Sequence, residues 1–333
     1  MAIRGAQGTL GSASLARTSS SKTLIQRIWA ARWCYLFMLP ALILTTMFTL
    51  YPSVASWYYS LLDWSGFTTE RTFVGLSNYA QVIHDPFFWN AFGHSFLFVF
   101  GNLPIRLSLA LIAAIVLNDR ALRLAPLFRT LLFIPVVTTE AIVGIVMTFV
   151  LSPAGGPVNQ ALLDVHLITQ PIDFLGNPHT ALWTVVAVSI WKGFGIPMIY
   201  WLAALQTIPQ DVYEAARVDG AGWWQTFRFV TAPLLVPFAV VIVLITAVNT
   251  LNVFALVQSM TEGGPFYASE VMDVFIYRLA FGAEGSGAIP QLGYASAAAV
   301  FFGLTVMVFT VLQAWSARKA HSLRLELTTK GGR

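Results

Sequence analysis

Arg106, Glu140 and Lys192 fall inside long apolar stretches of this sequence. A charge held in hydrocarbon costs roughly 2.5 to 3.5 kcal/mol unless it is paired or hydrated. Lys192 stands in SIWKGFG, beside Trp191 and before Gly193, where a glycine lets backbone and ligand come close, so the pair suggests a cavity wall. Glu140 can serve such a path or pair with Arg106 or Lys192; Arg106, late in its stretch, suits helix packing or snorkelling toward the interface. A second cluster is YEAARVDGAG (213–222), with Glu214, Arg217 and Asp219 between two apolar stretches. Other chemistry finds little footing. No Gly-x4-Gly-Lys-Ser/Thr loop is present to cradle nucleotide phosphates, and TKGGR (329–333) lacks that spacing. The histidines form no HExxH pair, and Cys34 has no partner cysteine, so a metal site is not expected. A membrane enzyme would need a charged cluster at one depth, and only the three intramembrane groups are candidates.

The elements that must hold these residues follow from composition. Hydrophobic residues make up 57% and charged residues 10%, with a mean hydropathy of +0.70, too little polar surface to clothe a soluble globule. Residues 33–62 carry no charge, a run longer than the roughly 20 residues that cross a bilayer, so the segment reads as a retained anchor rather than a cleaved signal peptide. Five further apolar stretches follow: 87–117, 130–151, 181–205, 233–256 and 293–315. The expected fold is therefore an all-α integral membrane protein of six transmembrane helices. Of 19 Lys and Arg, fifteen lie in residues 1–32, 118–129, 206–231 and 316–333, which places both termini in the cytoplasm. The sequence pI of about 9.3 thus reports topology, and nucleic acid is not an expected partner. Residues 1–32 read as a largely disordered cytoplasmic tail, 33–316 as the six-span domain, and 317–333 as a second cytoplasmic tail. The external loops are too short for a separate domain, although GLSNYAQVIHDPFFWNAF predicts a short helix ending at His84 and Asp85.

The charged cluster then lies in the cytoplasmic loop 206–231. Pro209 suits a first helical turn, Asp211 and Glu214 sit where the helix dipole favours negative charge, and Gly220 can supply a left-handed stop. One reading is an interfacial connector, with Trp223, Trp224 and Phe227 at the headgroups. The other is a docking helix, whose face of Ala215, Ala216 and Ala221 admits another protein's backbone.

The stretch EAARVDGAGWWQTFRFVTAP (214–233) resembles the Glu-Ala-Ala loop of permease subunits in bacterial ATP-binding cassette importers. Glu214, Ala215, Ala216, Gly220 and Pro233 match its spacing, with Val230 and Ala232 as departures. LQTIPQDVYEAARVDGA, TEGGP (261–265), FRTLLFIP (128–135) and LGYASA (292–297) resemble the longer, maltose-type permease of the sugar-importer branch. The resemblance covers residues 33 to 316 and implies a bacterial cytoplasmic-membrane permease for a di- or oligosaccharide or related polyol derivative. It implies a second, different permease, a cytoplasmic ATPase dimer that carries ATP and Mg, an extracytoplasmic solute-binding protein, and surrounding membrane lipid. No cofactor is expected on this chain. Glu214, Ala215, Ala216, Asp219 and Gly220 would form the ATPase-coupling helix. By the same resemblance the sugar path falls on Ser189, Lys192, Gly193, Ile196, Thr246, Thr250 and Val253, and each group shares a face at helical spacing. Thr246 and Thr250 could instead bond back to their own helix. The competing function is an ion-coupled secondary transporter with Glu140 and Lys192 as a proton relay.

Overall fold

The computed structural model describes residues 29, 32–119, 122–282 and 289–330. Apart from residues 29 and 32, the expected N-terminal tail lies outside them. By internal contacts the chain divides into two units, Met1–Ala55 and Ser56–Arg333. The first holds helix α1 (Arg32–Thr45), a π-helical turn (Thr46–Leu50) and the start of α2 (Tyr51–Tyr59). The wide turn precedes Pro52, whose missing N–H breaks the regular ladder.

The second unit continues α2 and is helical almost throughout. A two-residue antiparallel pair, β1 (Leu62–Asp63) with β2 (Thr72–Phe73), opens it in the register Leu62 opposite Phe73. Next come α3 (Ser77–His84) and α4 (Pro86–Leu117), separated where expected: Asp85 caps α4 through the Phe87 amide at 2.8 Å, and Pro86 occupies the first helical position. The following helices are α5 (Ala125–Val137), α6 (Glu140–Val150), α7 (Pro157–Asp164), α8 (Ala181–Gly193) and α9 (Gly195–Gln206). The chain goes on through α10 (Gln210–Val218), α11 (Trp223–Thr226), a π turn (Phe227–Thr231) and α12 (Ala232–Leu251). It closes with α13 (Phe254–Met260), α14 (Met272–Phe281) and α15 (Leu292–Lys330).

Among the described residues four continuous helices are long and apolar enough to cross a bilayer, and two bent pairs bring the number to six when each counts as one span. The expected third span is not one rod: α5 and α6 meet at 97° across Thr138 and Thr139, so Glu140 opens a helix instead of lying within one. The fourth bends by 45° at Phe194. The fifth starts earlier than expected, at Trp223, and stops at Leu251. The sixth runs on as helix to Lys330, beyond the expected end near 315.

Among the described residues three clusters form the core of this unit. Ala110, Ala114, Met198, Trp201, Leu205 and Leu235 join α4, α9 and α12 at one end. Phe98, Val143, Val185, Ile190 and Leu256 join α4, α6, α8 and α13. Phe88, Met272, Phe275, Ala297 and Phe302 join α4, α14 and α15 at the other end. There Glu270 is buried against Arg278, with Nε to Oε1 at 2.7 Å and Nη2 to Oε2 at 3.2 Å. Burial pushes the Glu270 carboxyl up, and the arginine opposes that shift.

Candidate functional site

The polar groups of the spans meet where the helices break. Pro197 has no N–H, so the carbonyl four residues earlier, Gly193, loses its helical donor. Arg106 Nη2 on α4 supplies the replacement at 2.5 Å. A Cβ at 193 would lie 2.5 Å from Arg106 Cζ, so any side chain there would have to displace the guanidinium. One turn earlier on each helix, Asn102 Nδ2 donates to Ser189 Oγ at 3.1 Å, so the pairs 102/106 and 189/193 zip α4 to α8. Lys192 Nζ, on the last turn before the bend, lies 3.1 Å from Glu140 Oε1, and the side chains keep 15% and 36% exposure. Glu140 occupies the first turn of α6, where the dipole also favours its charge. One ion pair therefore ties the break at 138–139 to the break at 194. Among the described residues Asn102 Oδ1 and Arg106 Nε are buried without a hydrogen-bond partner.

The expected path residues are only partly brought together. Ser189, Lys192 and Ile196 are half-buried around the bend, with Ile196 beyond it on α9. Gly193 is buried, and the space its missing side chain leaves is filled by Arg106 of the same chain. Thr246 and Thr250 are buried, and Thr250 Oγ1 donates to the Thr246 carbonyl at 2.7 Å, the self-bonding arrangement. Val253 does not share their helical face. The helix ends at Leu251, Asn252 leaves helical geometry at φ −91° and ψ 72°, and Val253 packs in the core with Leu256 and Val257. Sequence reasoning passed over Asn249 and Asn252, whose side chains are exposed beside this break. Asn252 Nδ2 donates to the Val248 carbonyl at 3.1 Å. The available signal was two carboxamides within the apolar run AVNTLNVF.

The loop cluster forms α10, entered from Pro209 at φ −59° and ψ 143°. Its end is a Schellman motif. Gly220 takes φ +75°, its amide donates to the Arg217 carbonyl at 3.0 Å, and the Ala221 amide reaches the Ala216 carbonyl at 2.9 Å. Glu214, Ala215, Asp219 and Gly220 are exposed. Ala216 is buried within the chain, so the expected small-residue docking face is narrower than three alanines. Trp223 stacks on Phe227 with ring centroids 6.2 Å apart, and both Trp223 and Trp224 remain exposed.

Residues 106–322 match the family described as binding-protein-dependent transport system inner membrane component. The chain is 35% identical over 280 residues to the probable ABC transporter permease protein YurN of Bacillus subtilis (strain 168), covering 84% of this chain and 94% of that one. It is 34% identical over 287 residues to the lactose transport system permease protein LacF of Rhizobium radiobacter, covering 86% and 94%. Its fold matches a chain of the bacterial alginate ABC transporter crystallised with alginate pentasaccharide-bound periplasmic protein, at TM-score 0.74 and 23% identity, covering 89% and 98%. With its broken apolar spans and its Glu-Ala-Ala helix, this chain belongs to the family of inner-membrane components of binding-protein-dependent transport systems.

Proposed function

We propose that this permease imports a carbohydrate, a di- or oligosaccharide or a related polyol derivative, as half of a translocation pathway completed by a second, different permease. Both termini lie in the cytoplasm, an extracytoplasmic binding protein delivers the solute, and a cytoplasmic ATPase dimer holding ATP and Mg docks on α10. The observation that carries this reading is α10 itself: a rigidly stopped helix that exposes Glu214 and Asp219 between two spans. LacF, whose name specifies lactose, supports the solute class. The solute path runs along the interrupted helices, past Ser189, Lys192 and Ile196 at one break and Asn249 and Asn252 at the other. Thr246 lies about one and a half turns before the second break. Half-helices and unwound backbone at membrane depth are the usual places for transported solutes. Here hydroxyls and carboxamides would pair with solute hydroxyls, and rocking of α8 against α9 and of α5 against α6 would open the path to each side in turn. Reconstituted complex with its binding protein should take up a disaccharide when ATP is inside with the ATPase. Uptake that persists with an inactivated ATPase and stops when a proton gradient is collapsed would instead establish ion coupling.

A further inference from the structure

A cavity of about 970 Å³ lies behind α10, between that helix and the neighbouring ends of α4, α5 and α9. Arg129, Arg217, Asp119, Tyr213 and Trp223 stand on its wall, so two cations less one anion leave its lining at +1. None of these residues enters the solute path. Arg129 is fixed in place, because its Nη2 donates to the Leu117 carbonyl at 2.6 Å. Its Nε is buried and has no acceptor among the described residues. The rest of the guanidinium is half-exposed on the cavity wall, where an anionic oxygen can meet its charge. Arg217, exposed on α10, brings a second guanidinium to the same wall. The cavity is far larger than a lone oxyanion requires. Its rim carries Trp223 at 69% exposure with Trp224 beside it at 61%, the side chains that mark the headgroup level of a bilayer.

We propose that this cavity is a headgroup site for a phospholipid of the cytoplasmic leaflet, whose phosphodiester oxygens lie between Arg129 and Arg217. The inference rests on the cytoplasmic placement of α10 given above. Basic pockets between spans on that side are suited to lipid headgroups, and guanidinium forks match phosphate oxygens. Asp119 on the same wall disfavours a bare phosphate ion. The occupied site would brace α10 through Tyr213 and Arg217, so the lipid would stiffen the helix on which the ATPase pulls.

The test is lipid retention by the complete importer, read by native mass spectrometry after release from nanodiscs of phosphatidylcholine doped with phosphatidylglycerol. The wild-type complex should keep phosphatidylglycerol. Arg129→Gln and Arg217→Gln should each lower its retention about tenfold, the loss expected for one charge-assisted contact. Arg123→Gln removes the same charge from an exposed residue off the cavity wall and should change nothing. Arg217 is exposed, so its variant remains readable if Arg129→Gln fails to fold. Equal retention in the wild type and Arg217→Gln would overturn the proposal, as would release of the lipid by millimolar inorganic phosphate, which would mark a soluble-anion site. Placement is read separately, by labelling a cysteine introduced at Trp224 in a Cys34→Ser background in sealed vesicles. Labelling from the external side would refute the orientation while leaving the retention result intact.

Discussion

Gly193 shows how one residue serves two partners. Its carbonyl is orphaned by Pro197 and recovered by Arg106, and its bare Cα leaves the room the guanidinium needs. Gly193→Ala should therefore cost about 1 to 3 kcal/mol through overpacking, before counting the displaced hydrogen bond. Thermal unfolding of the purified complex should fall by several degrees, and an unchanged midpoint would show that Arg106 moves aside freely. Lys192 poses a different question, because its ammonium is paired with Glu140 yet keeps some exposure. Breaking such a pair from one side leaves a charge without its counterion, whereas neutralising both is often tolerated. Lys192→Met should reduce the amount of assembled subunit, and adding Glu140→Gln should restore both assembly and uptake at matched expression. Recovery of assembly without uptake would show that the ammonium also contacts the solute.

At the scale of elements, the bend between α8 and α9 coincides with a single missing N–H, that of Pro197. Pro197→Ala would return a donor to the Gly193 carbonyl, in competition with Arg106, and so should straighten the 45° bend and slow transport. Spin labels at the exposed positions Trp183 and Tyr200, one on each helix, would report a longer separation; an unchanged distance distribution would mean that packing of α9 on α4 fixes the angle. The number of spans and the extent of α10 were legible because they depend on run length, charge placement and cap chemistry, all local properties. The breaks were less legible. Residues 130–151 and 233–256 read as continuous apolar runs, since hydropathy does not register the 97° turn at Thr138–Thr139 or the unwinding at Asn252. By sequence spacing Val253 accordingly falls on a helical face that in the structure ends two residues earlier. Arg106 and Gly193 are 87 positions apart, and only folding reveals that they are partners. Pro197, four residues after Gly193, was the one local sign that a carbonyl there would need another donor.

At the scale of the whole molecule, the proposed docking of an ATPase on α10 would require this chain to pass work from that helix to the helix breaks within the spans. In the second unit α10 is a short, capped element between spans that presents acid to the surroundings, with Glu214 and Asp219 exposed. Its C-terminal stop is rigid, and Ala216 anchors its other face in the chain. On the proposed docking, a push on α10 would reach the ends of α9 and α12, which flank it in the chain, and through α9 the bend at Phe194. Charge at such a joint fixes register and partner choice more than raw affinity. Glu214→Lys reverses that charge on an exposed residue, where it disturbs no internal packing, so insertion and pairing with the second permease should survive. Association with the ATPase should not. Affinity purification through the permease, at equal membrane levels of wild type and variant, should recover the second permease from both and the ATPase from the wild type alone. If the ATPase copurifies normally with Glu214→Lys, the joint lies elsewhere on the cytoplasmic face. If the second permease is lost as well, α10 supports the assembly of the membrane pair rather than its connection to the engine.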